Sequence, residues 1–301
     1  MADFKERLLE RLPGLDIRQE EPMKNHTTFR IGGPAEYYIC PRKDETAVIL
    51  SVAGECKIPV TIIGNGSNLL VADSGIRGLV LEIGSGMGEV FTEGSTVRAQ
   101  AGALLSKVAQ TAANAGLSGL EFASGIPGSV GGAVTMNAGA YDGEMKNVVS
   151  LVTVLTPEGK ELVLSPEELE FSYRHSCIPH NGYLVLEAQF LLTPGDKEEI
   201  LGKMAGFRDR RIQKQPLEYP SAGSTFKRPQ GYFAGKLIMD AGLRGYMVGG
   251  AQVSEKHCGF VINKNNATAA DVRQLMTDVQ NKIREQFGVC LEPEVKMIGD
   301  F

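Results

Sequence analysis

The segment "ASGIPGSVGGAVTMNAGAYDG" (residues 123–143) contains six glycines but neither lysine nor arginine. A second segment, "IIGNGSNLLV" (residues 62–71), is similar, because it leaves a β-branched run and enters a turn of glycine, asparagine and serine. Glycine lets a backbone approach a ligand closely and adopt positive φ, so successive N–H groups can converge on an anion. The two segments therefore predict a backbone clamp for a pyrophosphate. Ordinary tight turns in a β-rich domain are the alternative.

This clamp differs from the two common phosphate-binding motifs. Neither segment is predicted to pass from a strand into a helix with the spacing of the dinucleotide fingerprint, and no Gly-Lys-Ser/Thr is present. A pyrophosphate held by aligned N–H dipoles needs no lysine, and short polar side chains can add donors. The side chains placed to do so are those of Ser67, Asn68, Ser129 and Asn137.

Short strands separated by glycine turns dominate the chain up to residue 195. Residues 59–83 alternate β-branched runs with Gly/Asn/Ser turns and predict strand, loop, strand, turn, strand. Residues 148–165 predict a hairpin around residues 157–159, and residues 183–192 predict a long strand. Apolar residues at helical spacing predict a helix over residues 102–116, with Gly116 as its stop.

The pattern changes after residue 195. Residues 196–215 and 266–288 both show helical apolar spacing, and Thr268 and Asp271 are spaced as a capping pair. Short strands are predicted at residues 289–291 and 294–299. We therefore place a boundary near residues 195–215 and predict an α+β class for both parts, not a doubly wound parallel sheet. The apolar stripe of the second helix is Val272, Leu275, Met276, Val279, Ile283 and Phe287.

Charge and hydropathy exclude several classes of function. The chain has 31 Lys and Arg against 36 Asp and Glu, a net charge of −5. Affinity for nucleic acid or an anionic membrane requires a basic face, which this balance argues against. No apolar run approaches the roughly 20 residues that span a bilayer, and the N-terminal segment lacks the apolar centre of a signal peptide. We therefore expect a cytoplasmic protein with no nucleic-acid or membrane partner.

The cysteines and histidines do not form a ligand set. No cysteine pair has C-x-x-C spacing, and the four histidines do not cluster with the cysteines. In a chain of this size the pattern is typical of reduced, mostly buried thiols. We therefore expect no metal site. The cysteines are Cys40, Cys56, Cys177, Cys258 and Cys290.

Seven motifs along the chain resemble those of the UDP-N-acetylenolpyruvoylglucosamine reductases, also called UDP-N-acetylmuramate dehydrogenases. One such motif alone would be weakly specific, whereas seven in order across the chain are highly specific. They are "NHTTFRIGGPAEYY" (25–38), "IGNGSNLLV" (63–71), "SGIPGSVGGAVTMNAGAY" (124–141), "FSYRHS" (171–176), "SAGSTFKRP" (221–229), "AGKLIMDAGLRG" (234–245) and "LEPEVKMIG" (291–299).

The resemblance implies an FAD-binding domain of the vanillyl-alcohol-oxidase type, made of two α+β subdomains, and a C-terminal α+β substrate domain. We expect the first domain over residues 1–205 and the second over residues 206–301, whose last residues could return to the FAD domain. Two backbone loops hold the FAD pyrophosphate in such folds, and no histidine lies in either segment here, so non-covalent FAD is expected. The expected FAD contacts are Ile63, Gly64, Asn65, Gly66, Ser67, Asn68, Leu69, Gly125, Ile126, Pro127, Gly128, Ser129, Gly131, Gly132, Asn137, Gly139, Ala140 and Tyr141.

The family reaction implied by the resemblance has two halves. NADPH reduces FAD, and the hydride then passes to the enolpyruvyl double bond of UDP-N-acetylenolpyruvoylglucosamine, giving UDP-N-acetylmuramate for peptidoglycan synthesis. Hydride addition to an enol ether conjugated with a carboxylate produces an enolate-like intermediate, which requires charge stabilisation and a proton donor. The resemblance implies that Arg174 in "SYRHS", Ser224 in "AGSTFKRP" and Glu294 in "EPEVKMIG" meet these needs.

Each of the three residues also has an ordinary explanation. An arginine is most often part of a surface salt bridge, a serine after Ala-Gly is typical of a turn, and a glutamate beside proline in an extended run is commonly solvated. The resemblance, rather than the residue types, carries the catalytic assignment.

The resemblance also makes Tyr173, Lys214, Arg228 and His257 candidate substrate contacts, although a packed or partly exposed histidine is the more common explanation for His257. The interval between "YRHS" and "SAGS" is short and indicates the family branch that lacks an inserted tyrosine loop. We expect a monomer. The alternatives are a related FAD-dependent alcohol oxidoreductase and a non-catalytic protein that binds nucleotide sugars.

Overall fold

A computed structural model describes residues 4–301, which form seven α-helices and eighteen strands. The helices are α1 (Phe4–Arg11), α2 (Lys43–Cys56), α3 (Leu105–Asn114), α4 (Val130–Thr135), α5 (Lys197–Lys214), α6 (Ala234–Asp240) and α7 (Ala269–Phe287). The strands are β1 (Arg18–Pro22), β2 (Pro34–Ile39), β3 (Val60–Ile63), β4 (Leu69–Val71), β5 (Ile76–Glu82), β6 (Val90–Glu93), β7 (Thr96–Gln100), β8 (Leu117–Ser118), β9 (Gly139–Ala140), β10 (Gly143–Glu144), β11 (Val149–Leu155), β12 (Glu161–Leu164), β13 (Leu184–Leu191), β14 (Thr193–Pro194), β15 (Met247–Val248), β16 (Ala251–Val253), β17 (Val261–Asn263) and β18 (Lys296–Ile298).

The chain divides into two compact units, and both are assembled from separate segments. Among the described residues, the first unit contains 4–18, 38–65 and 78–210, and the second contains 19–37, 66–77 and 211–301. Helix α5 is continuous across the division between residues 210 and 211. The segment "IIGNGSNLLV" is divided as well, because residues 62–65 belong to the first unit and residues 66–71 to the second.

An antiparallel five-stranded sheet of order β12-β11-β13-β7-β6 forms the centre of the first unit. Val152, on β11, lies opposite Leu164 on one side and Ala188 on the other, and all three are buried. Helices α3 and α4 pack against its strands β6, β7 and β13. The hairpin, the long strand and the α3 helix predicted from the sequence are confirmed. Gly116 has a φ of +67°, which lies outside the helical range, just past the end of α3.

The predicted strand, loop, strand, turn, strand pattern of residues 59–83 is also confirmed, as β3, β4 and β5. Strands β3 and β5 pair in parallel, with Val60 opposite Leu79, in a sheet of order β1-β2-β5-β3. Strand β4 pairs instead with β18, again in parallel, and Leu69 lies opposite Lys296. The short strands on either side of the first glycine turn therefore belong to different sheets.

The second unit has one apolar core built from three chain segments. Phe29, Leu70 and Leu275 are fully or almost fully buried in it and come from the three segments in turn. Helix α7 packs on the antiparallel sheet β15-β16-β17. Burial of this helix follows the predicted stripe up to Ile283, but Phe287 is 38% exposed, because α7 ends at that residue.

The predicted capping pair of α7 is present. The hydroxyl of Thr268 accepts a hydrogen bond from the Asp271 N–H at 3.1 Å, and the Asp271 carboxylate accepts one from the Thr268 N–H at 3.0 Å. Gly288 ends the helix with a φ of +68°. The strand predicted at residues 289–291 is wrong. Leu291 is buried as the apolar pattern suggests, but its carbonyl accepts a hydrogen bond from the Gln280 side chain rather than from a neighbouring strand.

The Asp73 carboxylate provides a second cap for α7. It accepts hydrogen bonds from the N–H groups of Ala269 at 2.8 Å and Ala270 at 3.0 Å. We predict that Asp73→Ala lowers the free energy of unfolding by about 1–2 kcal/mol, because the first turn of the helix loses an anionic acceptor. Urea denaturation followed by circular dichroism measures this change.

Asp240→Ala is the matched control, since that carboxylate is paired with Lys236 on the surface of α6 and is expected to contribute about 0.5 kcal/mol or less. Equal losses in the two variants would contradict the capping role of Asp73.

Candidate cofactor and catalytic site

The two glycine segments lie against each other within the first unit. The Asn65 side chain donates a hydrogen bond from Nδ2 to the Pro127 carbonyl at 2.7 Å. A Cβ added at Gly64 would lie 2.3 Å from the Ser129 Oγ, closer than real side chains approach. Glycine at position 64 therefore leaves room for the Ser129 hydroxyl.

Ser129 gives the clearest indication of a missing ligand atom. Its side chain is 2% exposed, and across residues 4–301 its Oγ is one of two buried side-chain oxygens that make no hydrogen bond. An unpaired buried hydroxyl costs roughly 1–3 kcal/mol. A buried hydroxyl that has no protein partner can bind a ligand oxygen, such as one from a pyrophosphate. The residues present therefore fit a phosphate-bearing cofactor.

Several other predicted cofactor contacts are used by the protein itself. The Gly131 N–H donates to the Ala101 carbonyl at 2.8 Å, and a Cβ there would lie 3.1 Å from that of Ala101, so this glycine serves packing. Helix α4 begins directly after Ser129, a short helix that the sequence pattern did not predict. It follows a 3-10 turn over Glu121–Gly125 rather than a strand, so the dinucleotide fingerprint remains absent there.

Asn137 is fully buried, and its amide hydrogens are both used. Its Nδ2 donates to the Glu144 carboxylate at 2.8 Å and to the Ser172 carbonyl at 2.9 Å. Its Oδ1 accepts the Lys146 N–H at 2.9 Å. The side chain therefore joins the second glycine segment to the "SYRHS" turn.

Arg174 lies in that turn and has a left-handed backbone, with φ of +54°. Ser172 and His175 close the turn through two reciprocal backbone hydrogen bonds of 3.1 and 3.2 Å. The Arg174 guanidinium donates from Nη2 to the Gly139 carbonyl at 3.4 Å and lies 5.2 Å from the ring centre of Tyr173. Left-handed backbone in a residue other than glycine costs roughly 1–2 kcal/mol, and such strain is concentrated at functional sites.

The second unit brings together two of the predicted catalytic residues, Ser224 and Glu294. Thr225 follows Ser224, and its carbonyl accepts the Glu294 N–H at 2.8 Å. Phe226 and Pro293 form an antiparallel bridge next to this bond. Ser224 is exposed and Glu294 is partly exposed, so both segments present side chains to solvent while their backbones are held.

The first glycine segment also contacts the segment of Glu294. The Asn68 side chain donates from Nδ2 to the Glu294 carbonyl at 3.0 Å, and the Asn68 carbonyl accepts the Lys296 N–H at 2.9 Å. Gly66 has φ of +61°, and a Cβ there would lie 1.9 Å from the His26 carbonyl oxygen. Residues 66–69, predicted to bind the cofactor, thus fix the segment of Glu294, just before β18.

His257 lies beside the Ser224 segment. The Thr225 N–H donates to the Gly259 carbonyl at 2.9 Å, and the Gly259 N–H donates to His257 Nδ1 at 3.1 Å. Burial lowers the pKa of His257 below its ordinary value, and the positive charge of Lys214 lowers it further. The two predicted substrate contacts Lys214 and His257 are therefore close enough to interact electrostatically.

The remaining predicted site residues differ in their surroundings. Tyr173 is 51% exposed, and the Arg228 guanidinium lies 4.0 Å from the ring centre of Phe233. Tyr141 stacks on Phe207 of α5, a contact that sequence reasoning missed because the two residues are 66 positions apart. The helical spacing of apolar residues in α5 indicated that Phe207 packs against another part of the chain, but it could not identify Tyr141 as the partner.

Other features of the described residues bear on function class. No group of three or more His, Cys, Asp or Glu side chains among residues 4–301 is arranged to hold a metal ion. None of the helices described is both long and apolar enough to cross a membrane. The five cysteines are free, as predicted, but only Cys177 and Cys258 are buried, and Cys290 is exposed. The prediction of mostly buried thiols is wrong, because the strands and helix ends that carry the others are close to the surface.

Comparison with known proteins agrees with this geometry. Residues 34–165 match a family model described as an FAD binding domain, and residues 215–298 match one described as the C-terminal domain of UDP-N-acetylenolpyruvoylglucosamine reductase. A solved structure from Physcomitrella patens, titled BBE-like 1, shares the fold at a TM-score of 0.50 and 14% identity, covering 64% of this chain and 44% of its own. The fold and the two glycine segments thus define an FAD-binding flavoprotein.

Closer relatives settle the family. The UDP-N-acetylenolpyruvoylglucosamine reductase of Agathobacter rectalis is 60% identical over 99% of both chains, and that of Lachnoclostridium phytofermentans is 56% identical over 93% of this chain and 92% of its own. The crystal structure of the enzyme from Thermus caldophilus matches with a TM-score of 0.80 and 38% identity, over 95% of this chain and 99% of its own. The chain belongs to the UDP-N-acetylenolpyruvoylglucosamine reductase family, and its 301 residues agree with the shorter branch. It is an FAD-dependent oxidoreductase.

The gap at Gly64 yields a test of the clamp. We predict that Gly64→Ala weakens FAD binding by about tenfold, because its Cβ would displace the Ser129 hydroxyl and remove one hydrogen bond to the cofactor. Equilibrium dialysis of the apoprotein with FAD measures the affinity. Gly54→Ala, in α2 where a Cβ meets nothing within 4 Å, is the control. Equal affinities in the two variants would contradict the clamp.

The lowered pKa of His257 predicts an acid-dependent loss of stability. His257 stays neutral in the folded protein while the unfolded chain takes up a proton below pH ~6.5, so stability is present above that value and is lost as the pH falls through it. We expect His257→Asn to reduce the fall in urea midpoint between pH 7.5 and pH 5.5. His180→Asn, at an exposed position, is the control. If the urea midpoint of His257→Asn falls with pH as much as that of wild type, protonation of His257 is not the cause of the loss of stability.

Proposed function

We propose that this protein reduces the enolpyruvyl double bond of UDP-N-acetylenolpyruvoylglucosamine with electrons from NADPH, giving UDP-N-acetylmuramate for peptidoglycan synthesis. The family membership of the whole chain supports this reaction. The observation that supports the proposal at residue level is the hydrogen bond from the Glu294 N–H to the Thr225 carbonyl, because it joins the segment of Ser224 to the segment of Glu294.

The cofactor is held by the two glycine segments. Asn65 joins the two segments, and Gly64 leaves room for the Ser129 hydroxyl, whose missing hydrogen-bond partner a pyrophosphate oxygen would supply. Bound FAD supplies a hydride, taken from NADPH, to the substrate carbon. The absence of histidine from both segments supports non-covalent attachment.

Arg174 binds the substrate carboxylate in this proposal. Hydride addition places negative charge on the carboxylate and the carbon next to it, and a guanidinium stays charged throughout and can form two parallel hydrogen bonds. The Asn137 amide and the Gly139 carbonyl hold the turn and the guanidinium of Arg174. A fixed cation stabilises the developing charge without reorganisation.

Ser224 donates the proton. The hydride adds to one carbon of the double bond, and the adjacent carbon, now strongly basic, takes the hydroxyl proton of Ser224, which is then restored from water. A serine is a weak acid, but proton transfer to a carbanionic centre is favourable for it. Ser224 is exposed, and the neighbouring Thr225 makes four hydrogen bonds with backbone groups, so the Ser224 hydroxyl is accessible on a rigid support.

Glu294 acts with Arg174 and Ser224 on the intermediate. Its N–H and carbonyl are held by Thr225 and Asn68, so its backbone is fixed at this position. Tyr173, Lys214, Arg228 and His257 are the proposed substrate contacts. Lys214 and Arg228 supply positive charge suited to the diphosphate of the nucleotide sugar.

The wider setting of the protein is also a proposal. Residues 1–205 serve the cofactor and residues 206–301 the substrate. The protein is a cytoplasmic monomer, and its product enters cell-wall biogenesis, on which cell shape, division and the cell cycle depend.

The half-reactions separate the proposed roles. We predict that Ser224→Ala is yellow and is bleached by NADPH at a rate within about twofold of wild type, whereas reoxidation by UDP-N-acetylenolpyruvoylglucosamine falls by about 10²-fold or more, because only the second step needs the proton. Anaerobic stopped-flow absorbance near the flavin maximum records both steps.

Ser221→Ala is the matched control, since the same segment uses the Ser221 carbonyl rather than its hydroxyl, accepting from Thr28 at 2.7 Å. Survival of both half-reactions in Ser224→Ala would eliminate Ser224 as the acid. A wild-type protein that cannot take up FAD, or is not bleached by NADPH, would refute the proposed function as a whole.

A further inference from the structure

The second glycine segment ends in a strained hairpin. Strands β9 and β10 pair antiparallel, with Ala140 opposite Gly143, and are joined by the two residues Tyr141 and Asp142. Both have positive φ, +50° and +66°. Two-residue turns of this kind favour asparagine and glycine, since they adopt positive φ with little strain. A tyrosine in the first position therefore needs support from outside the hairpin.

Helix α5 supplies that support. The Tyr141 ring stacks on Phe207 with ring centres 4.5 Å apart and planes within 3° of parallel, and its hydroxyl donates to the Phe207 carbonyl at 3.1 Å. The Arg210 guanidinium lies 4.9 Å from the Tyr141 ring centre and 4.8 Å from that of Phe207. We call Tyr141, Phe207 and Arg210 the aromatic clasp. Stacking on Phe207 fixes the plane of the Tyr141 ring, and the guanidinium, almost equally far from both ring centres, packs beside the stacked pair.

The hairpin in turn contacts Arg174. The Gly139 carbonyl, directly before the Ala140 that begins the turn, accepts from the Arg174 guanidinium at 3.4 Å. Gly139 also lies opposite Glu144, whose carboxylate accepts from Asn137, and the same Asn137 amide holds the "SYRHS" turn. Any rotation of the hairpin therefore moves the carbonyl on which the guanidinium rests.

We propose that the aromatic clasp positions Arg174, so that Phe207 is a positioning residue for the step in which substrate is reduced. This inference rests on the role proposed above for Arg174. The clasp fixes Tyr141, the Tyr141–Asp142 turn fixes the Gly139 carbonyl, and that carbonyl orients the guanidinium toward the substrate carboxylate. A small misplacement of a charge-stabilising group is sufficient to slow a reaction by one to two orders of magnitude.

The test compares Phe207→Leu, which removes the stacked ring but keeps an apolar side chain, with Phe207→Tyr, which keeps the ring. For Phe207→Leu we expect FAD retention and the NADPH bleaching rate within about twofold of wild type, and an about tenfold slower maximal reoxidation by UDP-N-acetylenolpyruvoylglucosamine. Phe207→Tyr restores the wild-type rate. Phe91→Leu, the same change at a half-exposed position on β6, is the matched control and keeps the wild-type rate.

A double-mutant cycle shows whether Phe207 acts through Arg174. Arg174→Lys removes the two-point guanidinium contact, so adding Phe207→Leu to it should slow reoxidation by less than about twofold further. Isothermal titration of oxidised enzyme with UDP-N-acetylenolpyruvoylglucosamine gives a readout independent of turnover. The proposal is supported if Phe207→Leu binds this substrate more weakly than wild type, whereas the double variant binds it as tightly as Arg174→Lys alone.

Four results would overturn it. If Phe207→Leu reoxidises at the wild-type rate, Phe207 does not influence substrate reduction. If the losses of rate are additive in the double variant, Phe207 acts independently of Arg174. Loss of FAD from Phe207→Leu, with both half-reactions impaired alike, shows that the clasp serves the cofactor segment instead. If Arg174→Lys itself reoxidises normally, the role proposed for Arg174 fails first and the positioning inference fails with it.

Discussion

The cofactor segment and the Arg174 turn of the first unit depend on one buried amide, the side chain of Asn137. Its three hydrogen bonds reach the β10 carboxylate of Glu144, the N–H of Lys146 and the carbonyl of Ser172. A buried amide that lost these partners would leave several polar groups unsatisfied at once, each at roughly 1–3 kcal/mol. The hairpin that ends the second glycine segment and the turn that carries Arg174 are therefore held together. Asparagine also tolerates the left-handed φ of +44° at this position.

Thr225 has the corresponding place in the second unit. Its N–H donates to Gly259, its carbonyl accepts the Glu294 N–H, and its hydroxyl accepts the Val261 N–H at 2.9 Å. One buried residue thus links the segment of Ser224, the segment of Glu294 and the loop that follows His257. In both units the polar groups that fix the backbone are buried, whereas the side chains proposed to meet the substrate are at least partly exposed. Rigid support beneath accessible side chains is what transition-state stabilisation by fixed groups requires.

The sequence predicted local structure better than it predicted contacts. Strand alternation, turn residues and the Thr268–Asp271 cap are local signals, and they identified β3, β11, β13 and α7 correctly. The predicted strand at residues 289–291 failed because an apolar run cannot show whether a backbone partner is present; the Gln280 side chain takes that place. Asn137 was assigned to the cofactor because amides commonly donate to phosphates, and sequence alone could not show that its donors were already used. Ser224 and Glu294 were paired only through family resemblance, because a hydrogen bond across about 70 residues leaves no periodic signal.

A cofactor segment without lysine or arginine is consistent with this division of labour. Backbone N–H groups and a serine hydroxyl can hold a pyrophosphate from very close range, provided that glycines leave the space, as Gly64 does beside Ser129. A mobile lysine in the same loop would bring a positive charge whose position depends on its rotamer. The cation needed for the chemistry is instead Arg174, on a strained turn that the surrounding hydrogen bonds over-determine. The free energy of folding offsets the cost of this left-handed backbone. The guanidinium is therefore oriented before substrate arrives, and orienting it adds little to the activation barrier.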